Sequence, residues 1–68
     1  MNQLHKDIIQ AIKRSNEPAT ALEISQVVDC ERTMVSQSIN YINKFTQCEI
    51  SKIMSSDRRL RYWIEVSV

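Results

Sequence analysis

Not one of the 68 residues is glycine, so every bend in this chain is made by residues that carry a side chain or by the single proline. Phosphate loops of the Walker type and dinucleotide-binding fingerprints need backbone that only glycine permits, and both are excluded. Where a left-handed turn is required, Asn and Asp are the residues that tolerate positive φ at modest cost. Asn16 and Asp29 are placed for this, each at the end of a helical pattern. With 43% hydrophobic residues in 68, the expectation is one small domain whose apolar side chains are nearly all needed for packing. That favours binding over catalysis.

Leu4, Ile8, Ala11 and Ile12 recur at helical spacing among polar residues, which predicts an amphipathic first helix ending near Asn16 and Pro18. A short extended piece around Pro18 and Ala19 follows. Thr20-Ala21-Leu22-Glu23 is a capping box, because the hydroxyl and the carboxylate can each take the other's backbone N–H. A short second helix starts there, with Leu22, Ile24, Val27 and Val28 as its apolar side and Asp29 at its end. Residues 31–45 place Val35, Ile39, Ile42 and Phe45 on one stripe, and Arg32, Thr33, Ser36, Gln37, Asn40 and Lys44 opposite. Helix propensity is poor in this third stretch, so packing of the stripe has to hold it.

After Phe45 the period changes to two. Residues 48–54 and 60–66 read as strands around the polar turn 55–59. Leu60, Tyr62, Ile64 and Val66 are expected to face the core, and Arg61, Trp63, Glu65 and Ser67 the solvent. The order is helix, helix, helix, hairpin.

Net charge is only +1, too small for binding polyanions by bulk charge. Its distribution is uneven. Residues 1–29 set three cations against four carboxylates, and residues 30–68 set six against four. Cys30 and Cys48 form at most one bridge, the N-terminus lacks the apolar run of a secretory signal, and no segment approaches a membrane span. A soluble, cytoplasmic chain with no membrane partner is expected.

The order of elements, with residues 23–42, resembles winged helix-turn-helix DNA-binding domains over nearly the whole chain. In that family a support helix joins a recognition helix through a pattern of the type E-L-A-x-x-L-G-V-S-x-x-T-V-S-R-x-L-x-x-L. Ile24, Val28, Cys30, Val35, Ile39 and Ile42 fall on its apolar positions. The chain departs from the pattern at the turn glycine, replaced by Asp29, and at the recognition-helix cap, replaced by Glu31. The resemblance implies an α+β fold, a three-helix winged helix-turn-helix with a C-terminal β-hairpin wing. It further implies that Arg32, Thr33, Ser36, Gln37 and Asn40 face the major groove of double-stranded DNA.

Residue chemistry agrees with that implication. Arginine grips guanine bidentately, glutamine and asparagine do the same to adenine, and hydroxyls contact phosphate or base. Lys44 extends the positive side of the helix. Lys52, Arg58, Arg59 and Arg61 would be the wing cations, set against Asp57 and suited to backbone contact. The bland alternatives are a solvated helix face and charges that guard an edge hairpin. A specialisation for left-handed nucleic acid would put Lys, Asn and Tyr where Arg32, Ser36 and Asn40 stand, and is rejected.

Trp63 either packs as an anchor or marks a partner or dimer surface, and Tyr41 admits the same two roles. His5 is expected to be a solvated surface residue, and Cys30 a small hydrophobe filling the turn. One histidine and two distant cysteines suggest neither a metal site nor a Cys-His nucleophile, no cofactor is implied, and an enzyme is the least supported class. The expected function is therefore a small DNA-binding transcriptional regulator, of the kind encoded by phages or mobile elements, acting as a homodimer or with help. The alternative is a winged-helix module that binds a protein of the transcription machinery.

Overall fold

The computed structural model describes residues 2–65. Its first helix, α1 (Gln3–Arg14), opens on Asn2, whose side-chain oxygen accepts the backbone N–H of His5 at 2.9 Å. One of the donors that a helix start leaves bare is thereby satisfied. Lys13 and Arg14 close the helix, where cations complement the negative end of its dipole. Asn16 does not take the left-handed cap expected of it: among the described residues, positive φ occurs only at Asp29 and Arg58. Ser15 is already extended and redirects the chain, so no left-handed residue is needed there.

Strand β1 (Ala19–Thr20) runs straight into α2 (Ala21–Val28). The capping box forms as expected: Thr20 Oγ1 accepts the N–H of Glu23 at 3.1 Å, and Glu23 Oε1 accepts that of Thr20 at 3.2 Å. Asp29 ends α2 at φ 57°, ψ 56°. Its own N–H and that of Cys30 both reach the Ser25 carbonyl, so the turn closes without glycine. Helix α3 (Arg32–Phe45) then starts on Glu31, which is extended and makes no side-chain cap bond.

Ile8 and Ile12 of α1, Ile24 of α2, and Val35, Ile39 and Ile42 of α3 meet Ile50 and Tyr62 in one core. Three residues expected on the apolar side lie outside it: Leu22, Val27 and Phe45 are 45%, 73% and 62% exposed. An eight-residue helix buries a narrow stripe, here Ile24 and Ser25 with Val28 beside them, and Leu22 and Val27 fall to either side of it. Phe45 is the last residue of α3, past the end of the stripe, and stacks on Tyr41 at 4.8 Å between ring centroids. Tyr41 in turn meets His5 at 5.0 Å. His5 is therefore buried between α1 and α3, contrary to its expected solvation.

Strands β2 (Ser51–Met54) and β3 (Leu60–Trp63) form the expected antiparallel hairpin. Pairing starts three residues later than expected because the Asn43 side chain takes the backbone of Ile50 first. Its Oδ1 accepts the Ile50 N–H at 2.7 Å and its Nδ2 donates to the Ile50 carbonyl at 3.0 Å. The same two bonds set where the hairpin leaves α3. On the other side β3 pairs with β1, Ala19 opposite Tyr62 and Thr20 opposite Arg61. The result is a three-stranded antiparallel sheet in the order β1-β3-β2. Tyr62 faces the core, Ile64 packs beside it, Leu60 is 38% exposed and Trp63 is half-buried. Val66 and Ser67 lie outside the described residues. Three helices and this sheet make the fold α+β. Among the described residues no helix is long and apolar enough to cross a membrane.

Candidate nucleic-acid interface

At about 100° per residue, α3 presents three faces. Val35, Ser38, Ile39 and Ile42 are buried. Thr33, Gln37, Asn40 and Lys44 lie opposite and are exposed, with Arg32 exposed and Ser36 half-buried on one flank. Met34, Tyr41 and Phe45 form the other flank and are 45%, 48% and 62% exposed. Of this third face the sequence singles out only Tyr41; the spacing of seven and four between Met34, Tyr41 and Phe45 is the signal for the rest.

The polar flank turns towards the hairpin. Arg32 and Ser36 of α3, Leu22 of α2, and Arg59 and Leu60 of the hairpin line one open groove of about 380 Å³. A cation from the helix and a cation from the hairpin thus share a concave surface, although they are 27 positions apart. Lys52 stands opposite Tyr62 in the ladder, so it lies on the helix-facing side of the sheet, and it is exposed. Lys44 sits about 18 Å further along α3 than Arg32. Its Nζ lies 5.3 Å from the Phe45 ring centroid, and it also complements the negative end of the helix dipole.

The hairpin tip is built without glycine as well. The N–H of Arg58 donates to the Ser55 carbonyl at 2.9 Å, and the N–H of Ser55 to the Arg59 carbonyl at 3.0 Å. This is a type of loop in which the residue after the turn is left-handed and glycine is favoured. Here that residue is Arg58, at φ 63°. Asp57 holds the loop by accepting the Ser55 hydroxyl and, at 3.1 Å, the N–H of Arg59. A bulky side chain at positive φ carries a cost that glycine avoids. Arg58→Gly is expected to stabilise the fold by about 0.5–1 kcal/mol, read as a rise in Tm. A variant that melts at or below the parent temperature would show that the turn is unstrained.

Arg61, expected to face DNA with its neighbours, is committed elsewhere. It stands opposite Ile53 and Thr20, on the far side of the sheet from Lys52 and Tyr62. Its guanidinium donates to Glu23 at 3.1 Å, to the Pro18 carbonyl at 3.2 Å and to Asp57 at 3.4 Å. One cation held by two carboxylates adds nothing positive to the groove. Arg59 also pairs with Asp57, at 3.9 Å, but its side chain stays 66% exposed, so the hairpin cations open to a ligand are Lys52, Arg58 and, more weakly, Arg59.

Both carboxylates around Arg61 titrate below their ordinary range. Thr20, through its backbone N–H and then its hydroxyl, lowers Glu23 most, and Arg61 adds to it. The Ser55 hydroxyl lowers Asp57 most, with the Arg59 N–H and Arg61 contributing. Groups whose folded pKa is depressed stabilise the fold above their unfolded value of about 4 and lose that contribution as pH falls through the folded value. The melting temperature is therefore expected to be flat from neutral pH to about 5 and to drop below the carboxylate range. A Glu23→Gln, Asp57→Asn variant should start lower and fall less steeply. Parallel curves would remove these two groups as the cause.

Among the described residues, no group of three or more His, Cys, Asp or Glu side chains is placed to hold a metal ion. Compared with known protein families, curated proteins and solved structures, the chain matches none. What the surface does has to come from its own geometry.

Proposed function

We propose that the chain is a winged helix-turn-helix domain that binds double-stranded DNA, with α3 in the major groove and the β2–β3 hairpin as the wing on the sugar-phosphate backbone. One observation carries this: Arg32 and Ser36 of α3 and Arg59 of the hairpin line a single groove. Arginines on either side of an open groove suit a chain of phosphates far better than a neutral ligand. The polar face of α3 beyond it, with Thr33, Gln37 and Asn40 exposed, carries the side-chain chemistry for base edges. The role is that of a non-catalytic transcriptional regulator. One half-site supplies little specificity, so a homodimer or a second protein completes the complex.

The test is an amide-shift NMR titration of labelled protein with mixed-sequence duplex at two salt concentrations. Shifts confined to residues 32–44 and 57–60 and weakened by salt are expected. Silence at low salt overturns the proposal. A second role, docking on a protein of the transcription machinery, is favoured by the exposed flank of Met34, Tyr41 and Phe45. Shifts on that flank alone, on adding such a protein, would select it.

A further inference from the structure

The residues of α3 that point away from the core do not all meet the same surroundings. Arg32 and Ser36 look into the groove, beside Arg59. Thr33, Gln37 and Asn40 stand on the crest, opposite Val35, Ile39 and Ile42, and are exposed. Among the described residues, the amides of Gln37 and Asn40 have no partner within the protein, whereas the amide of Asn43 on the same helix is bound to Ile50. An exposed helix crest that served only solubility would favour Ala, Glu or Lys over Asn and Thr.

A carboxamide offers a donor and an acceptor side by side, which complements the N6 amino group and N7 of adenine. Guanine presents two acceptors at the same edge and is matched by arginine instead. Gln37 and Asn40 are three residues apart, about 4.5 Å along the helix axis, close to the roughly 3.4 Å between successive bases of a strand. Thr33 precedes Gln37 by one turn and offers a methyl group. Arg32 is the only arginine on α3, and it lines one groove together with Arg59, a pairing of cations that suits an anion.

Resting on the DNA binding proposed above, we infer that the crest of α3 reads adenine: Gln37 and Asn40 take adjacent A·T pairs and Thr33 packs on a thymine methyl. Arg32 works with Arg59 on the sugar-phosphate backbone and sets no base preference. The specific half-site is therefore A·T-rich at its centre, and the guanine contact that an arginine on a recognition helix suggests is absent.

The experiment is enrichment of a randomised duplex library on the intact chain, followed by anisotropy measurements on the selected duplex. An enriched core with two adjacent A·T pairs is expected, and replacing either pair by G·C should weaken binding roughly ten-fold or more. Gln37→Ala and Asn40→Ala should still bind while losing that discrimination. Both sites are exposed and alanine raises helix propensity, so circular dichroism should show both variants folded. Arg32→Ala should bind more weakly and keep the A·T preference. An enriched guanine whose preference disappears in Arg32→Ala overturns the inference and leaves DNA binding intact, as does binding with no enrichment. Failure to bind any duplex at low salt overturns both.

Discussion

Ile39→Ala is expected to leave the chain largely unfolded at room temperature. Ile39 has no exposed surface and lies in the middle of α3, between Val35 and Ile42 of the same buried stripe. Truncating a buried isoleucine costs about 2–5 kcal/mol, because the lost transfer free energy is joined by a cavity that a small core cannot collapse. A core of this size supplies on the order of 3–5 kcal/mol in all. Nor can α3 stand without its stripe, since its interior carries Thr33, Ser36, Ser38, Asn40 and Asn43, all weaker helix formers than the residues usual on a surface helix. Far-UV circular dichroism through a thermal melt reads the outcome. Val27→Ala, at a side chain 73% exposed, is the matched control and should shift stability by no more than about 0.5 kcal/mol. A cooperative melt of Ile39→Ala near the parent temperature would show that α3 is held by something other than this contact.

Why Ile39 was recognisable in advance while His5 was not follows from the range of the interactions. The buried stripe of α3, the capping box at Thr20 and Glu23, and the left-handed Asp29 are each fixed by residues within one or two helical turns. Spacing and side-chain chemistry display them directly. The hairpin was legible for the same reason, as alternation on either side of a polar turn. His5 owes its burial to Tyr41, and the sheet owes its third strand to Tyr62 and Arg61 reaching Ala19 and Thr20. Such partners are brought together only by the packed fold. Arg61 is the instructive case at the candidate site. Its place in the strand already put it opposite in parity to Leu60 and Tyr62, which argued against the groove side, yet its charge suggested grouping it with Arg58 and Arg59. Glu23, 38 residues earlier, is what binds it, and that ion pair leaves no mark in local sequence.

That division of the cations makes a sharp expectation for DNA affinity. The Arg32→Ala, Arg59→Ala double variant is expected to bind duplex roughly ten- to a hundred-fold more weakly, as charge-assisted contacts from both sides of the groove are lost. Its plot of log K against log salt should flatten by about 1.8, since each phosphate contact contributes about 0.9 to the slope on B-form DNA. Bulk charge alone predicts the same change for any two cations removed, so the comparison that decides is Lys6→Ala, Lys13→Ala. Those lysines are exposed on α1, away from the residues that line the groove, and their loss lowers the net charge by the same amount. Screening over a Debye length of about 8 Å at physiological salt makes distant charges count for little, so this control should keep nearly the parent slope. Arg61→Ala separates the other possibility: with its guanidinium held by Glu23 and Asp57, its removal should lower the melting temperature and leave the slope nearly that of the parent. If both double variants flatten the slope equally, the groove is not the phosphate site and attraction is a property of the whole surface. If only Arg32→Ala, Arg59→Ala does, one helix and one hairpin act on the same backbone, and the spacing that Asn43 and Ile50 impose between them becomes a determinant of affinity.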